Sequence, residues 1–139
     1  MTAIQPAAET EAVWLPGDAV RTGAAGRPVL VGSSCPSCGA AMFPAVPVCP
    51  CCMAEDLETV DMPATGTLYS FTEVHVGPAH WSKPVRLGYV DLDNGVRVFS
   101  HLAPGPGLAV GARVEIAAGR VGRRADGTPV DTFVFKTVE

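Results

Sequence analysis

From Thr65 onward the apolar and polar positions alternate with a period of two, the signature of half-buried strands. A first run, Thr67 to Val76, is dominated by β-branched and aromatic residues. A second, Val85 to Leu92, leads into Asp93-Asn94-Gly95, and a third follows as Val96 to Leu102. Asn-Gly between two such runs predicts a tight hairpin with both central residues at positive φ. The Pro/Gly stretch 104–107 separates the third strand from a fourth, Arg113 to Ala118. The last, Val130 to Lys136, places Phe133 and Phe135 on one face and Val134 on the other. No useful helix is predicted after residue 65, and no repeat of 20 to 50 residues is evident. Five short strands in about 70 residues must hide their edges, which predicts a small closed barrel. An OB-like barrel is the first expectation, and an SH3-like barrel fits the same pattern.

Upstream the pattern is less regular. Residues 1–12 read as a polar, Ala-rich leader. Val13, Trp14 and Leu15, a Gly-rich stretch and Pro28-Val29-Leu30-Val31-Gly32 read as an irregular arm or short helix ending in a strand. A polar connector carrying Glu55, Asp56, Glu58 and Asp61 reaches Pro63, the best boundary. The expected organisation is therefore an arm (1–27), a cysteine segment (28–62) and a barrel (63–139).

Composition narrows the class. A chain of 139 residues with 47% hydrophobic and 17% charged residues folds rather than staying disordered. Its 15 Gly and 13 Pro disfavour a helix bundle and favour short strands joined by turns. No apolar stretch approaches the roughly 20 residues of a membrane span, and Met1 to Glu11 lacks the pattern of a secretory signal. A cytoplasmic protein is expected. The formal charge of −4 gives no general attraction for nucleic acid.

The cysteines change the picture most. Cys35-Pro36-Ser37-Cys38-Gly39 is a knuckle whose two intervening residues turn both sulfurs toward one point. Cys49-Pro50-Cys51-Cys52 supplies a second, and the short spacer between them suits a hairpin. Four thiolates, Cys35, Cys38, Cys49 and Cys52, suit one tetrahedral metal ion, zinc before iron. Cys51 is expected to be the spare. Four protein ligands leave no open position for water, so the ion is expected to be structural.

Catalytic groups are harder to find. His75 and His101 fall in predicted strands and read as structural. Glu73, Asp91, Asp93 and Asp131 lie at strand or turn positions, and solvated faces explain them. No nucleophile elbow, phosphate loop or paired metal-ligand histidines occur. Two loops draw more interest. The first, residues 77–84, carries His80, Trp81 and Lys83 between prolines. The second, residues 119–129, gathers Arg120, Arg123 and Arg124. In an OB barrel these loops flank the usual binding face. A grip on phosphates competes there with a solvated hairpin tip.

These pieces together resemble the DUF35 family, a rubredoxin-like zinc ribbon followed by an OB-fold. The resemblance covers about residues 28–136. It rests on Cys35-Pro-Ser-Cys38-Gly39 with Met42-Phe43-Pro44, on Cys49-Pro50-x-Cys52 and on Gly66-Thr67-Leu68-Tyr69-Ser70-Phe71-Thr72. Gly88 to Arg97 and Gly111-Ala112-Arg113-Val114 extend it. The resemblance implies a small companion of thiolase-like enzymes that docks beside the catalytic subunit and helps bind or channel acyl-CoA. It implies thiolytic, Claisen-type or retro-aldol chemistry with the reacting groups on the partner. The chain departs from it in the Gly/Ala-rich segment 17–27, where many relatives carry a helix. His80, Trp81, Lys83, Arg120, Arg123 and Arg124 are the candidate contacts to acyl-CoA or the partner. Two other readings compete: a single-stranded nucleic-acid binder, against which the acidic charge and few aromatics argue, and a rubredoxin-type electron carrier, which would be red with iron.

Overall fold

The computed structural model describes residues 19–138 and the backbone of 13–15, so the leader expected at 1–12 lies outside the described residues. Strand β1 is Val13–Leu15, β2 is Val20–Thr22 and β3 is Pro28–Ser34. Strand β4 is Ala41–Met42 and β5 is Glu58–Asp61. The barrel strands are β6 (Thr65–Val74), β7 (Val85–Leu92), β8 (Arg97–Leu102), β9 (Arg113–Arg123) and β10 (Pro129–Thr137).

The barrel closes in the order β6-β7-β8-β10-β9 and back to β6. Neighbours are antiparallel except β8 and β10, which run parallel. A simple meander would close its fifth strand on its first. Here the last two strands cross over, giving the Greek-key arrangement of an OB barrel. Inward positions build the core: Leu68, Val90, Leu92, Val98, Leu102, Val114, Ile116 and Phe135 are almost wholly buried.

The ribbon does not form a core of its own. Strand β3 pairs with β2, β4 and β5, and its Leu30 joins Val20 and Met62 in the same apolar cluster as the barrel residues. Phe43 meets Phe133 edge-on at 6.3 Å, and Phe133 meets Phe135 at 6.4 Å. Arg27 reaches Glu115 of β9 at 3.2 Å.

Several expectations need correction. The arm's described parts are strands, with one turn of 3-10 helix at Ala24–Gly26. Ala25 (φ 58°) and Gly26 (φ 76°) reverse the chain, which returns as β3 instead of continuing a helix. Part of the polar connector is β5. Strand β6 stops at Val74, so His75 lies beyond it, exposed, 3.7 Å from Glu73. Strand β9 runs five residues past Ala118, and the second loop shrinks to residues 124–128. Gly119 and Gly122 read as turn residues, yet both sit in the ladder at close approaches. A Cβ on Gly119 would lie 2.7 Å from Val134. Val134, expected opposite the phenylalanines, is buried like them.

The Asn-Gly turn differs too. The Gly95 N–H donates to the Leu92 carbonyl, and only Gly95 of the three loop residues has positive φ, at 90°. The hairpin therefore has a three-residue loop with glycine in the bulge position. The Asn94 Oδ1 accepts the Val96 N–H at 3.1 Å, a local turn that keeps Asn94 out of the left-handed region. Asp93 accepts from Arg113 and from the Thr65 hydroxyl, which together hold its carboxyl down at about 2.

Candidate metal centre and barrel cleft

Two knuckles of the same design face each other. In the first, the Gly39 N–H donates to Cys35 O and the Cys35 N–H donates to Ala40 O, both at 2.8 Å. In the second, the Met53 N–H donates to Cys49 O and the Cys49 N–H to Ala54 O, both at 2.9 Å. Each turn places the residue after its second cysteine at positive φ: Gly39 at 80° and Met53 at 68°. Glycine meets that demand freely and methionine does not. Met53 is 72% exposed, so its side chain recovers little by burial. Met53→Gly is expected to raise stability by about 1 kcal/mol, read as a higher denaturant midpoint at unchanged slope. An equal or lower midpoint would refute the strain.

The four Sγ atoms of Cys35, Cys38, Cys49 and Cys52 all lie within 4.8 Å of one another. Cys35 and Cys52 are 3.5 Å apart, Cys38 and Cys49 3.6 Å. Zn–S bonds of about 2.3 Å in a tetrahedron require S···S separations of about 3.8 Å, so the donor set fits a closed four-sulfur site. Cys35 and Cys49 are buried while Cys38 and Cys52 face outward. Cys51 stays outside the cluster, and its backbone N–H donates to the Cys49 sulfur at 3.4 Å. The N–H groups of Cys52 and then Cys51 bring the Cys49 thiol down to about 6. Cys38 is pushed up to about 12: the Ala40 N–H opposes this, while the Cys49 thiol, burial and the other two thiols outweigh it. Without a cation the sulfurs cannot all ionise together, and a divalent ion removes that conflict.

A second feature lies on the barrel. The loop between β6 and β7 folds down on β9 at Gly122. Trp81 forms a β-bridge with Gly122, the Ser82 N–H donates to Val121 O at 2.9 Å, and the Arg123 N–H donates to His80 O at 2.8 Å. Beside this contact opens a cleft of about 700 Å³, in which His80, Trp81, Arg120, Arg123 and Arg124 meet. Lys83 is not among them. Its Nζ turns back to the carbonyls of Pro78 (2.7 Å) and Trp81 (3.3 Å) and clasps its own loop. Trp81 stacks on His101 of β8 at 4.8 Å, and burial lowers the pKa of that imidazole.

The three arginines are not equivalent. Arg120 is held by Asp131 through contacts of 2.8 and 3.2 Å. Arg123 donates to the Gly127 carbonyl at 3.1 Å. Arg124 faces the field of Asp126, whose carboxyl is lowered first by its hydrogen bonds with Thr128.

Gly122 is the site residue that loop-reading missed. Its local signal was slight, a glycine next to Val121 among arginines, and only its place in a strand makes it mark a close backbone approach. A Cβ there would stand 2.1 Å from the His80 carbonyl oxygen and 3.0 Å from the Trp81 Cα. Gly122→Val is expected to lift the loop off the barrel at a cost of about 1–3 kcal/mol and to expose Trp81. A red-shifted tryptophan emission with a Trp14→Phe background would report it; unchanged emission and stability would overturn this account of the loop.

Comparison with known proteins now bears on the whole arrangement. Residues 22–58 match the family described as the ChsH2 rubredoxin-like zinc ribbon domain, and residues 59–119 match its C-terminal OB-fold domain. The benzoylsuccinyl-CoA thiolase subunit BbsA of Thauera aromatica is 32% identical over 136 residues, covering 96% of this chain and 94% of the relative. The chain belongs to the DUF35 family. A DUF35 domain-containing scaffold protein of Methanocaldococcus jannaschii is 27% identical over 119 residues, with 81% of this chain and 84% of the relative covered. A solved Ltp2-ChsH2(DUF35) aldolase matches with a TM-score of 0.63 and 26% identity over 78% of this chain and 84% of that one. The family's two parts fall on the cysteine cluster and the closed barrel. The cleft arginines lie beyond residue 119, outside the matched stretch.

Proposed function

We propose that this DUF35 protein is a non-catalytic accessory subunit of a cytoplasmic thiolase-like complex, in which it helps to bind or channel acyl-CoA. The observation that carries this reading is the near full-length relationship to a CoA thiolase subunit. The closed sulfur cluster supports a structural role for its ion, because four thiolates leave no position for a reacting water, and zinc is the ion proposed. Zinc would supply folding energy there and no chemistry.

The barrel cleft is the proposed contact to acyl-CoA. Arg123 and Arg124 bring positive charge for phosphate groups, and Trp81 offers a ring face beside them. Arg120, already paired with Asp131, shapes the wall more than it attracts an anion. Lys83 contributes by pinning the loop that carries Trp81.

The test begins with the tagged chain purified from its native cells. A thiolase-type chain in stoichiometric amount supports the proposal, and its repeated absence ends it. Calorimetric titration of an acyl-CoA into the reconstituted pair, with and without Arg120→Ala, Arg123→Ala and Arg124→Ala combined, then tests the cleft. Unchanged affinity would remove the arginines from the ligand site while leaving the complex intact.

A further inference from the structure

The outer face of β6, β7 and β8 is aromatic. Tyr69, Tyr89 and Phe99 are 51%, 44% and 55% exposed. Tyr89 and Phe99 are direct cross-strand partners with ring centroids 5.0 Å apart. Tyr69 alternates outward from the buried Leu68 of β6 and joins them, at the point where the β6–β7 register shifts. Arg97 lies 3.6 Å over the Tyr69 ring, held there by Asp91 at 2.6 and 3.1 Å. These are positioned groups: rigid rings and a guanidinium whose orientation is already fixed.

Two further observations say what covers this face. The first is charge. The cations beside it are paired with carboxylates: Arg97 with Asp91 and Arg113 with Asp93. A neutral aromatic surface rimmed by closed ion pairs complements the apolar centre of a protein interface, where tyrosine, phenylalanine and arginine are enriched. It offers no excess charge to a phosphate backbone. The half-exposed rings amount to on the order of 300 Å², a fitting centre for an interface of about 800 Å² a side. The second is continuity. Arg97, Phe99 and His101 alternate onto the same side of β8, and His101 carries Trp81 at the wall of the cleft. A body seated on the rings therefore borders the cleft.

We infer that the outer face of β6–β8, centred on Tyr69, Tyr89 and Phe99, is the surface on which the thiolase-type catalytic subunit docks. This inference rests on the accessory-subunit reading given above. Tyr89→Ser/Phe99→Ser removes the centre of the face without touching the barrel interior. With the catalytic chain recovered from native cells, the dissociation constant of the pair is expected to rise at least 100-fold, with metal content and melting midpoint unchanged. Independently, a benzophenone amino acid placed at position 99 of the full chain should crosslink to a peptide of the catalytic chain. Association as tight as wild type, with no such crosslink, overturns the docking face and leaves the accessory role standing. Failure of the wild-type chain to associate with any thiolase-type chain overturns both. A wild-type dimer dissolved by the double substitution assigns the face to a second copy, and oligothymidine binding lost in the variant assigns it to single-stranded nucleic acid; either result overturns the inference.

Discussion

Cys49→Ser is expected to reduce bound metal from about one equivalent to almost none and to unfold the ribbon. Cys49 is wholly buried, lies 3.6 Å from Cys38 and accepts the Cys51 N–H. A serine hydroxyl does not ionise as a thiolate does, so three charged ligands remain where four fitted. Structural zinc contributes on the order of 10 kcal/mol to folding, comparable with the whole stability of an ordinary domain. The ribbon has no separate core with which to resist this loss, because Leu30 and Met62 are buried in the cluster that fills the barrel. Its release frees Phe43 from Phe133 and uncovers that side of the barrel. Metal analysis should find the ion missing, and amide exchange should find β3–β5 unprotected. Cys51→Ala should keep both metal and protection, since its sulfur is outside the cluster. Metal lost from the Cys51 variant and retained in the Cys49 variant would show that the second knuckle is read in the wrong register.

The cysteine cluster was legible because its geometry is local. Two short knuckles fix four sulfurs whatever the rest of the chain does, and the structure brings together the same four. The barrel was legible for a related reason: a strand with one face inside must alternate, and β7 and β8 do so almost without interruption. What failed to show depends on contacts distant in the chain. Strand β1 pairs in parallel with Val130–Thr132 of β10, and three residues carry no signal of a partner so remote. Strand β5 hid in a polar connector because three of its four residues face solvent and only Val60 packs inward. Gly119 and Gly122 look like turn residues locally, and only the neighbouring Val134 and His80 explain why no side chain fits there.

The candidate contacts were legible as two clusters but not as one site. Strand β9 had to extend to Arg123 before the two loops could meet across Gly122. Lys83 shared a motif with Trp81 yet turns the other way, a choice made by two backbone carbonyls. The aromatic face was hidden for another reason. Tyr69 alternates outward from the buried Leu68, but its companions Tyr89 and Phe99 lie on other strands, and only the pairing of β6, β7 and β8 gathers the three rings. Sequence alternation assigns each ring a side of its strand, and the pairing register assigns its neighbours.

That distinction between inner and outer rings is measurable. Phe135→Ala is expected to cost about 3–5 kcal/mol, because the fully buried ring cannot be replaced by collapse of its neighbours. Strand β10 is bonded to β9 along most of its length and to β8 on its other edge, so the backbone around Phe135 is pinned on both sides. The cavity would open beside Phe133, which meets Phe135 edge-on and itself supports Phe43 of the ribbon. A fall of roughly 10–20 °C in the melting midpoint follows for a domain of this size. Phe99→Ala deletes the same ring from a half-exposed position on the neighbouring strand and should stay within about 0.5 kcal/mol of wild type. Equal costs for the two substitutions would mean that the barrel does not close around Phe135. A large cost for Phe99 alone would mean that its ring supports the fold and is not held in readiness for a partner.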